Sequence, residues 1–246
     1  MGVGRKIGVC CTVFVALLAV FFGVLASSHP ARQRFFAGLW GMMAEEVNHD
    51  LLPYKEEFFK ALQNLPVGAR VVELGPGTGA NFRFLPKHIH WEGAEPNPHL
   101  LPLLNESIAA SGFPAESVKV LAGKTSEEHL ASLQDGSVDA VLSTLVLCTV
   151  PDPAAVLKEI VRVLRPGASF YFLEHVAFDR ETLNRSFQEL VTPLWNLIGD
   201  GCYPNRETWQ LVEEAGFGGG VQYMNFTVGG PMYFFVGPHI AGTATK

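Results

Sequence analysis

The chain opens with an uncharged apolar run from Ile7 to Ser27, IGVCCTVFVALLAVFFGVLAS, that has no polar stripe at any helical period. At about 1.5 Å per residue such a helix spans roughly 30 Å of hydrocarbon, enough to cross a bilayer. Beyond it the pattern becomes amphipathic: Phe35, Leu39, Met42 and Met43, then Leu51, Phe58, Phe59 and Leu62, recur at helical spacing with charge between them. This predicts two helices leading into the domain, with an ordinary core-facing stripe favoured over an interfacial membrane helix.

From residue 67 the pattern changes again. Arg70 to Leu74 is a short β-branched run that stops at Gly75, and further strands are predicted at Ile89 to Ala94, Val118 to Leu121, Val138 to Leu147 and Ser169 to Leu173. The fourth is apolar almost throughout, as a central parallel strand buried on both faces must be. Between the fourth and fifth lies the clearest helix, with Asp152 as N-cap, Pro153 at its first position and Leu157, Ile160, Val161 and Leu164 on one face. Arg165-Pro166-Gly167 ends it, Asn205 to Ala215 forms another helix closed by Gly216, and Val221 to Val228 and His239 to Thr243 are two more β-like runs. Strands alternating with helices predict an α/β, doubly wound, mostly parallel sheet whose strand ends line one binding edge. The expected organisation is a membrane anchor over 1–28, a helical lead-in over 29–66 and one globular domain over 67–246.

Composition refines this picture. The chain has 246 residues, 48% hydrophobic and 17% charged, which excludes a disordered chain and leaves room for one domain with a sizeable core. Residues 1–27 hold Arg5 and Lys6 and no acid, so the remainder carries 16 basic against 24 acidic side chains, about −8; no nucleic-acid partner is expected. A secretory signal peptide also begins with basic residues, and Val24-Leu25-Ala26 offers small residues for cleavage, but the apolar stretch exceeds the usual signal core and favours an uncleaved anchor. Arg5 and Lys6 on one side balance Arg32 and Arg34 on the other, so charge alone leaves the orientation open. Of four cysteines, Cys10 and Cys11 fall in the apolar run, and Cys148 and Cys202 form neither a CxxC pair nor a sequence cluster with histidine. No metal site and no disulfide framework are expected, and Cys148 reads as a small buried hydrophobe.

The candidate chemistry begins at Gly75-Pro76-Gly77-Thr78-Gly79, which follows the first strand and is expected to open a short helix ended by Pro86. Glycines there let the chain turn sharply and let a ligand approach bare amides. A dinucleotide fingerprint wants glycine at the first, third and sixth places, whereas here Ala80 takes the sixth, so a pyrophosphate cradle is disfavoured. Glu95 in Gly93-Ala94-Glu95-Pro96-Asn97 stands 20 residues after Gly75 at the end of the second strand, where a carboxylate can accept both hydroxyls of a ribose.

VVELGPGTGANF and GAEPNP resemble the first two motifs of class I S-adenosylmethionine-dependent methyltransferases. More narrowly, TLVLCTV, LKEIVRVLRPGASFYFLEHV and the stretch from Pro193 to Glu214 resemble membrane-anchored methyltransferase-like proteins that act as alkyl thiol S-methyltransferases. The resemblance covers nearly everything after the anchor. It implies a Rossmann-like seven-stranded sheet, S-adenosylmethionine as cofactor, a small lipophilic acceptor (a thiol by preference), and a cytosol-facing domain held at the endoplasmic reticulum or a lipid droplet. It also implies that Glu73, Gly75, Gly77 and Gly79 surround the methionine part of the cofactor, that Glu95 holds the ribose, that Pro96 and Asn97 flank the adenine and that Leu145 and Val146 lie beneath it. Ala122-Gly123-Lys124-Thr125 falls where the family has a loop touching the adenine edge, with Lys124 in a place usually acidic; Glu127 or Glu128 is the expected substitute acceptor.

Methyl transfer is an in-line displacement, and alignment of its partners can supply about 7 to 11 kcal/mol of barrier reduction. A thiol with a pKa near 8.5 is only about 2 kcal/mol from its thiolate at pH 7, so no strong dedicated base is required. His175, beside Glu174 at the end of the fifth strand, is the candidate to accept or steer that proton, against the alternative of a hydrogen-bonded structural histidine. The insertion from Phe178 to Tyr203, with Phe187, Leu190, Leu194, Trp195, Leu197 and Ile198, is expected to cover the acceptor, with Asp200 and Cys202 lining its pocket. Two other readings stay open: methylation of a lipid amine or quinone hydroxyl, and a membrane adaptor with a decayed cofactor site.

Overall fold

The computed structural model describes residues 3–230 and 233–246, with side chains from Val13 onward. Helix α1 (Val3–Ser27) is followed by α2 (His29–Asp50), and the two meet at a bend of 111°. Ser28 makes the corner: its hydroxyl accepts the Ala31 N–H at 3.3 Å, and Arg32 reaches back to the Leu25 carbonyl at 3.0 Å. Among the described residues no single helix is long and apolar enough to cross a membrane, although the bent pair is by length and composition. The expected anchor begins at Ile7, and the side chains of residues 7–12 lie outside the described residues.

The two lead-in helices are α2 and the shorter α3 (Leu52–Phe59), which tightens into a 3-10 turn over Lys60–Asn64. Then come β1 (Arg70–Leu74), β2 (His90–Glu95), α4 (Leu101–Ser111), β3 (Val118–Ala122), α5 (Ser126–Ala131) and β4 (Val138–Thr144). The chain continues through α6 (Pro153–Val163), β5 (Leu164–His175), α7 (Leu183–Ile198), α8 (Thr208–Glu214), β6 (Gly220–Thr227) and β7 (Pro238–Thr245). The seven strands form one sheet in the order β3-β2-β1-β4-β5-β7-β6, parallel from β3 to β5 and closed by the antiparallel β7. The expected mostly parallel, doubly wound sheet is therefore present.

Strand alternation assigns the two faces. On β1, Val72 and Leu74 join Leu157, Ile160 and Val212 on one side, while Val71 joins Leu51, Phe59, Leu62 and Leu104 on the other. The stripe of α3 and the turn after it is thus core-facing, as the pattern favoured, whereas in α2 Met42 is exposed and Phe35 packs against Phe21 of α1. Asp152 caps α6 by accepting the Ala155 N–H at 2.9 Å, as its sequence signal predicts.

Four local expectations need correction. The segment after the glycine loop is a single 3-10 turn (Phe82–Phe84) rather than a helix, because Asn81 turns its side chain onto buried Glu73 and Leu85 is held extended before Pro86. Strand β4 stops at Thr144, since Leu145 swings to a φ of 58°. Strand β5 begins at Leu164, with Arg165 to Ala168 absorbed as an irregularity opposite Val138 and Ala140. Helix α8 begins only at Thr208, because Asn205 does not cap it and Glu207 supplies no side-chain cap.

Candidate active site

A cavity of about 230 Å³ opens at the carboxyl ends of β1, β2, β4 and β5, roofed by α2 and by the loop after α7. Its first wall is the glycine loop. Gly75, Gly77 and Gly79 have φ of 49°, 59° and 77°, the left-handed region that side chains disfavour. A Cβ on Gly75 would stand 2.9 Å from Val146 Cγ2 inside the cavity, while one on Gly79 would meet Ser107 of α4 at 2.7 Å. Gly75 and Gly77 therefore line the cavity and Gly79 packs the loop against α4.

Glu95 closes this wall and is only 3% exposed. Its Oε2 accepts the Gly77 N–H at 2.9 Å and its Oε1 the Asn97 N–H at 2.8 Å, so the carboxylate holds the loop and lines the cavity at once. Burial raises its pKa, opposed by those two N–H donors. Each carboxylate oxygen keeps acceptor capacity for a ligand hydroxyl.

The floor is a buried polar network. Glu73 accepts from Asn81 Nδ2 and Trp91 Nε1, both at 2.7 Å, and Asn81 Nδ2 also reaches Thr144 Oγ1 at 3.1 Å. Lys55 of α3 donates to Asn48 Oδ1 at 2.6 Å and Asn81 Oδ1 at 3.0 Å. Burial raises the Glu73 pKa and lowers that of Lys55 to about 8, each held partly in check by the charge of the other. A buried ammonium beside glycine amides is a receptor for a carboxylate.

The same cavity is lined by Cys148, His175 and Cys202, which come together, and by Trp195 and Asp200, the last near enough to Glu95 for its charge to help raise the Glu95 pKa. His175 Nε2 lies 3.2 Å from Cys202 Sγ. Burial works to lower the His175 pKa, but Cys148 and Glu174 outweigh it and the net direction is up. The neighbouring Cys202, together with burial, pushes the Cys148 thiol well above its ordinary value. The Trp195 indole N–H and His175 Nδ1 are buried without a protein partner, open positions that a ligand in the cavity would fill. Leu145 and Asp200 line the same space with φ of 58° and 50°, strain concentrated where the chain meets the ligand cavity.

Of the residues singled out from sequence, the structure brings Glu73, Gly75, Gly77, Glu95, Pro96, Asn97, Leu145, Val146 and His175 to this cavity. It places Glu174 behind the wall: fully buried, accepting from Ser143 Oγ at 2.6 Å and the N–H groups of Val146 and Leu147, with burial raising its pKa to about 7. Glu174 therefore positions the loop after β4 rather than facing a ligand. Gly123 and Lys124 are exposed and outside the lining, with the Gly123 N–H donating to the Glu95 carbonyl at 2.8 Å. Glu128 is committed to a capping box with Thr125 at the start of α5, so it is not a spare acceptor. Phe36, Trp40, Asn48 and Lys55 line the cavity without a sequence signal of their own, and Asn81, which closes the glycine motif, lines it too. Cysteine and histidine, which form no cluster in the sequence, do form one in space, because the loop after β4, the last residue of β5 and the loop after α7 meet at one place.

A hollow over parallel strand ends, edged by left-handed glycines and the buried carboxylates Glu73 and Glu95, is the layout of a Rossmann-like nucleoside-binding fold. The profile described as "Methyltransferase domain" matches residues 72–172. Human thiol S-methyltransferase TMT1A is 37% identical over 228 residues, covering 86% of this chain and 91% of that protein, and human TMT1B is 37% identical over 229 residues at 91% and 91%. The chain belongs to this thiol S-methyltransferase family. A solved Thermotoga maritima SAM-dependent methyltransferase, 22% identical, superposes with a TM-score of 0.53 over 86% of this chain and 99% of that one, which supports the fold.

Proposed function

We propose that this chain transfers the methyl group of S-adenosylmethionine to the sulfur of a small lipophilic thiol. The single observation that carries this reading is one cavity lined both by the glycine loop with Glu95 and by Cys148, His175 and Trp195. The residues fit the cofactor, because side chains at Gly75 and Gly77 would stand where bare amides are needed and Glu95 is aimed at the same hollow. When bound, S-adenosylmethionine supplies an electrophilic methyl group on a sulfonium.

Gly75 and Gly77 let the methionine portion lie on backbone, and Lys55 and Asn81 meet its polar end. Glu95 takes the ribose hydroxyls, while Pro96, Asn97, Leu145 and Val146 confine the base. At the acceptor end the unpartnered Nδ1 makes His175 the group to steer a proton from the acceptor, and Trp195 with the α7 loop excludes water. Gly79, Gly123 and Lys124 support the loops rather than touch the ligand. The acidic lining, Glu73, Glu95 and Asp200 against Lys55, suits a cationic ligand.

The proposal extends to location. Residues 7–27 anchor the chain in the endoplasmic reticulum or a lipid droplet with the domain in the cytosol, where the cofactor is made; residues 1–28, 29–66 and 67–246 then act as anchor, lead-in and catalytic domain. The exposed apolar side chains of α1, among them Phe14, Leu17, Val20 and Val24, support this. The test is a screen of alkyl thiols, phenols and lipid amines for methyl transfer by the detergent-solubilised full chain, with calorimetry of S-adenosylhomocysteine beside it. Thiol turnover with saturable binding is expected. Turnover of phenols or amines alone would overturn the acceptor assignment, and absence of saturable heat would overturn the enzyme reading in favour of an adaptor.

A further inference from the structure

The acceptor end of the cavity holds more ligating atoms than a simple proton relay needs. Cys148, His175 and Cys202 are 2%, 7% and 7% exposed, and one ligand atom from each lies within 4.8 Å of the other two. His175 Nε2 faces Cys202 Sγ at 3.2 Å, and the hydrogen-bond contacts of Cys148 Sγ are Leu145 O at 3.7 Å and Thr149 Oγ1 at 3.4 Å, weak thiol contacts that a metal bond would replace. Neither cysteine is in a disulfide. Zinc–sulfur bonds of about 2.3 Å and zinc–nitrogen bonds of about 2.0 Å place the ligands of a tetrahedral ion roughly 3.5 to 3.8 Å apart, so small side-chain rotations complete the site.

We propose that Cys148, His175 and Cys202 bind one thiophilic divalent cation, zinc by donor chemistry, with its fourth position open to the cavity for the sulfur of the acceptor. Two thiolates and an imidazole are the donor set that selects zinc, and three protein ligands with one open position is the arrangement of reactive zinc sites. Charge agrees with this. Two thiolates neutralise the divalent ion, so the centre does not repel a neighbouring sulfonium, and an incoming thiolate makes it net negative toward that sulfonium. With the metal bound, His175 serves as a ligand through Nε2 in place of steering the proton: the acceptor enters as a thiol, its sulfur displaces the water at the open position, and its proton leaves with that water before the site closes. Its metal-bound sulfur would use a lone pair to form the new S–CH3 bond as the methyl–sulfonium bond breaks, that bond's electron pair staying on the departing S-adenosylhomocysteine sulfur, and the thioether formed, being neutral, is a weak ligand and leaves.

This inference rests on the thiol reading above, and its test separates the two. The full chain is produced in zinc-supplemented medium, purified without an affinity tag, and its metal measured by inductively coupled plasma mass spectrometry. Cobalt(II) then replaces zinc and the absorption spectrum is recorded with and without an alkyl thiol. Close to one equivalent of zinc per chain is expected, with thiolate-to-cobalt charge-transfer bands that shift when the thiol is added. Cys148→Ser and Cys202→Ser should each lose most of the metal while circular dichroism and the urea midpoint show a folded chain. Should either variant not fold, His175→Gln with the cobalt spectrum answers the same question. A folded, thiol-methylating protein with no metal, with metal retained in all three variants, or with a Cys148–Cys202 disulfide in its place overturns the metal site and leaves the methyltransferase. One equivalent of metal without thiol turnover overturns the open position for the acceptor and the thiol reading together.

Discussion

Glu95 and Lys55 are the two side chains whose environments say most about ligand binding. Removing a hydrogen bond to a charged group costs about 1.5 to 3 kcal/mol, so Glu95→Ala should weaken S-adenosylhomocysteine binding roughly 10- to 100-fold by calorimetry. Unchanged affinity would remove Glu95 from the site. Lys55 titrates in the folded chain near pH 8 rather than 10.5. Below pH 8 both folded and unfolded chains hold its proton and the burial cost is felt in full. Between about pH 8 and 10.5 the unfolded chain binds more protons, so folding stability rises with pH. Relative to Lys55→Met, the native protein should therefore gain up to about 3 kcal/mol across that window, read from urea midpoints. A flat difference would show that Lys55 is not desolvated. The acid of this floor, Glu73, was legible in the sequence as part of a glycine motif. Its partner Lys55 was not, because a lysine's neighbours depend on how α3 packs.

Helix α7 shows how one element serves both packing and site. Thr182 caps it by accepting the Arg185 N–H, and Gln188 ties it down from a fully buried position. Gln188 Nε2 donates to the carbonyls of Pro204 and Phe235 at 3.0 and 2.9 Å, and its Oε1 accepts the Phe178 N–H at 3.1 Å. Gln188→Ala leaves these buried groups unpaired and should cost at least about 2 kcal/mol in urea unfolding. Because Trp195 follows on the same helix, KM for the thiol should rise more than KM for the cofactor; equal shifts in both would mean that α7 does not bound the acceptor end. The insertion was legible as a helix, but of the side chains expected to cover the acceptor only Trp195 lines the cavity, while Leu190 and Leu194 are exposed, because the helix turns its apolar stripe partly outward. That a glutamine anchors it was not legible, since polar residues in a sequence carry no mark of burial.

For the molecule as a whole, the bend at Ser28 sets α1 against α2 and α7, so the apolar helix and the cavity roof are neighbours. The full chain should remain with membranes after an alkaline carbonate wash, and release would refute the anchor. Asn105, Asn184 and Asn225 stand in glycosylation acceptor sequences. A cytosolic domain predicts no mobility shift on deglycosylation in mammalian cells, whereas a shift would place the domain in the lumen.

Sequence alone determined the strand order along the chain, the parallel centre of the sheet, the glycine loop and the carboxylate 20 residues beyond it, but not helices α4 and α5, which carry weaker patterns. These are properties of local period, backbone freedom and one crossover, and short segments encode them. Tertiary structure decided the rest. Only the folded sheet brings Cys148, His175 and Cys202, each 27 residues from the next, to one point, and only helix packing turns Lys55 inward to Asn81. The physical reason is that a strand-end loop has no local signal for which other loop it will face. That neighbour is chosen by strand order, which the burial of both sheet faces selects for the chain as a whole.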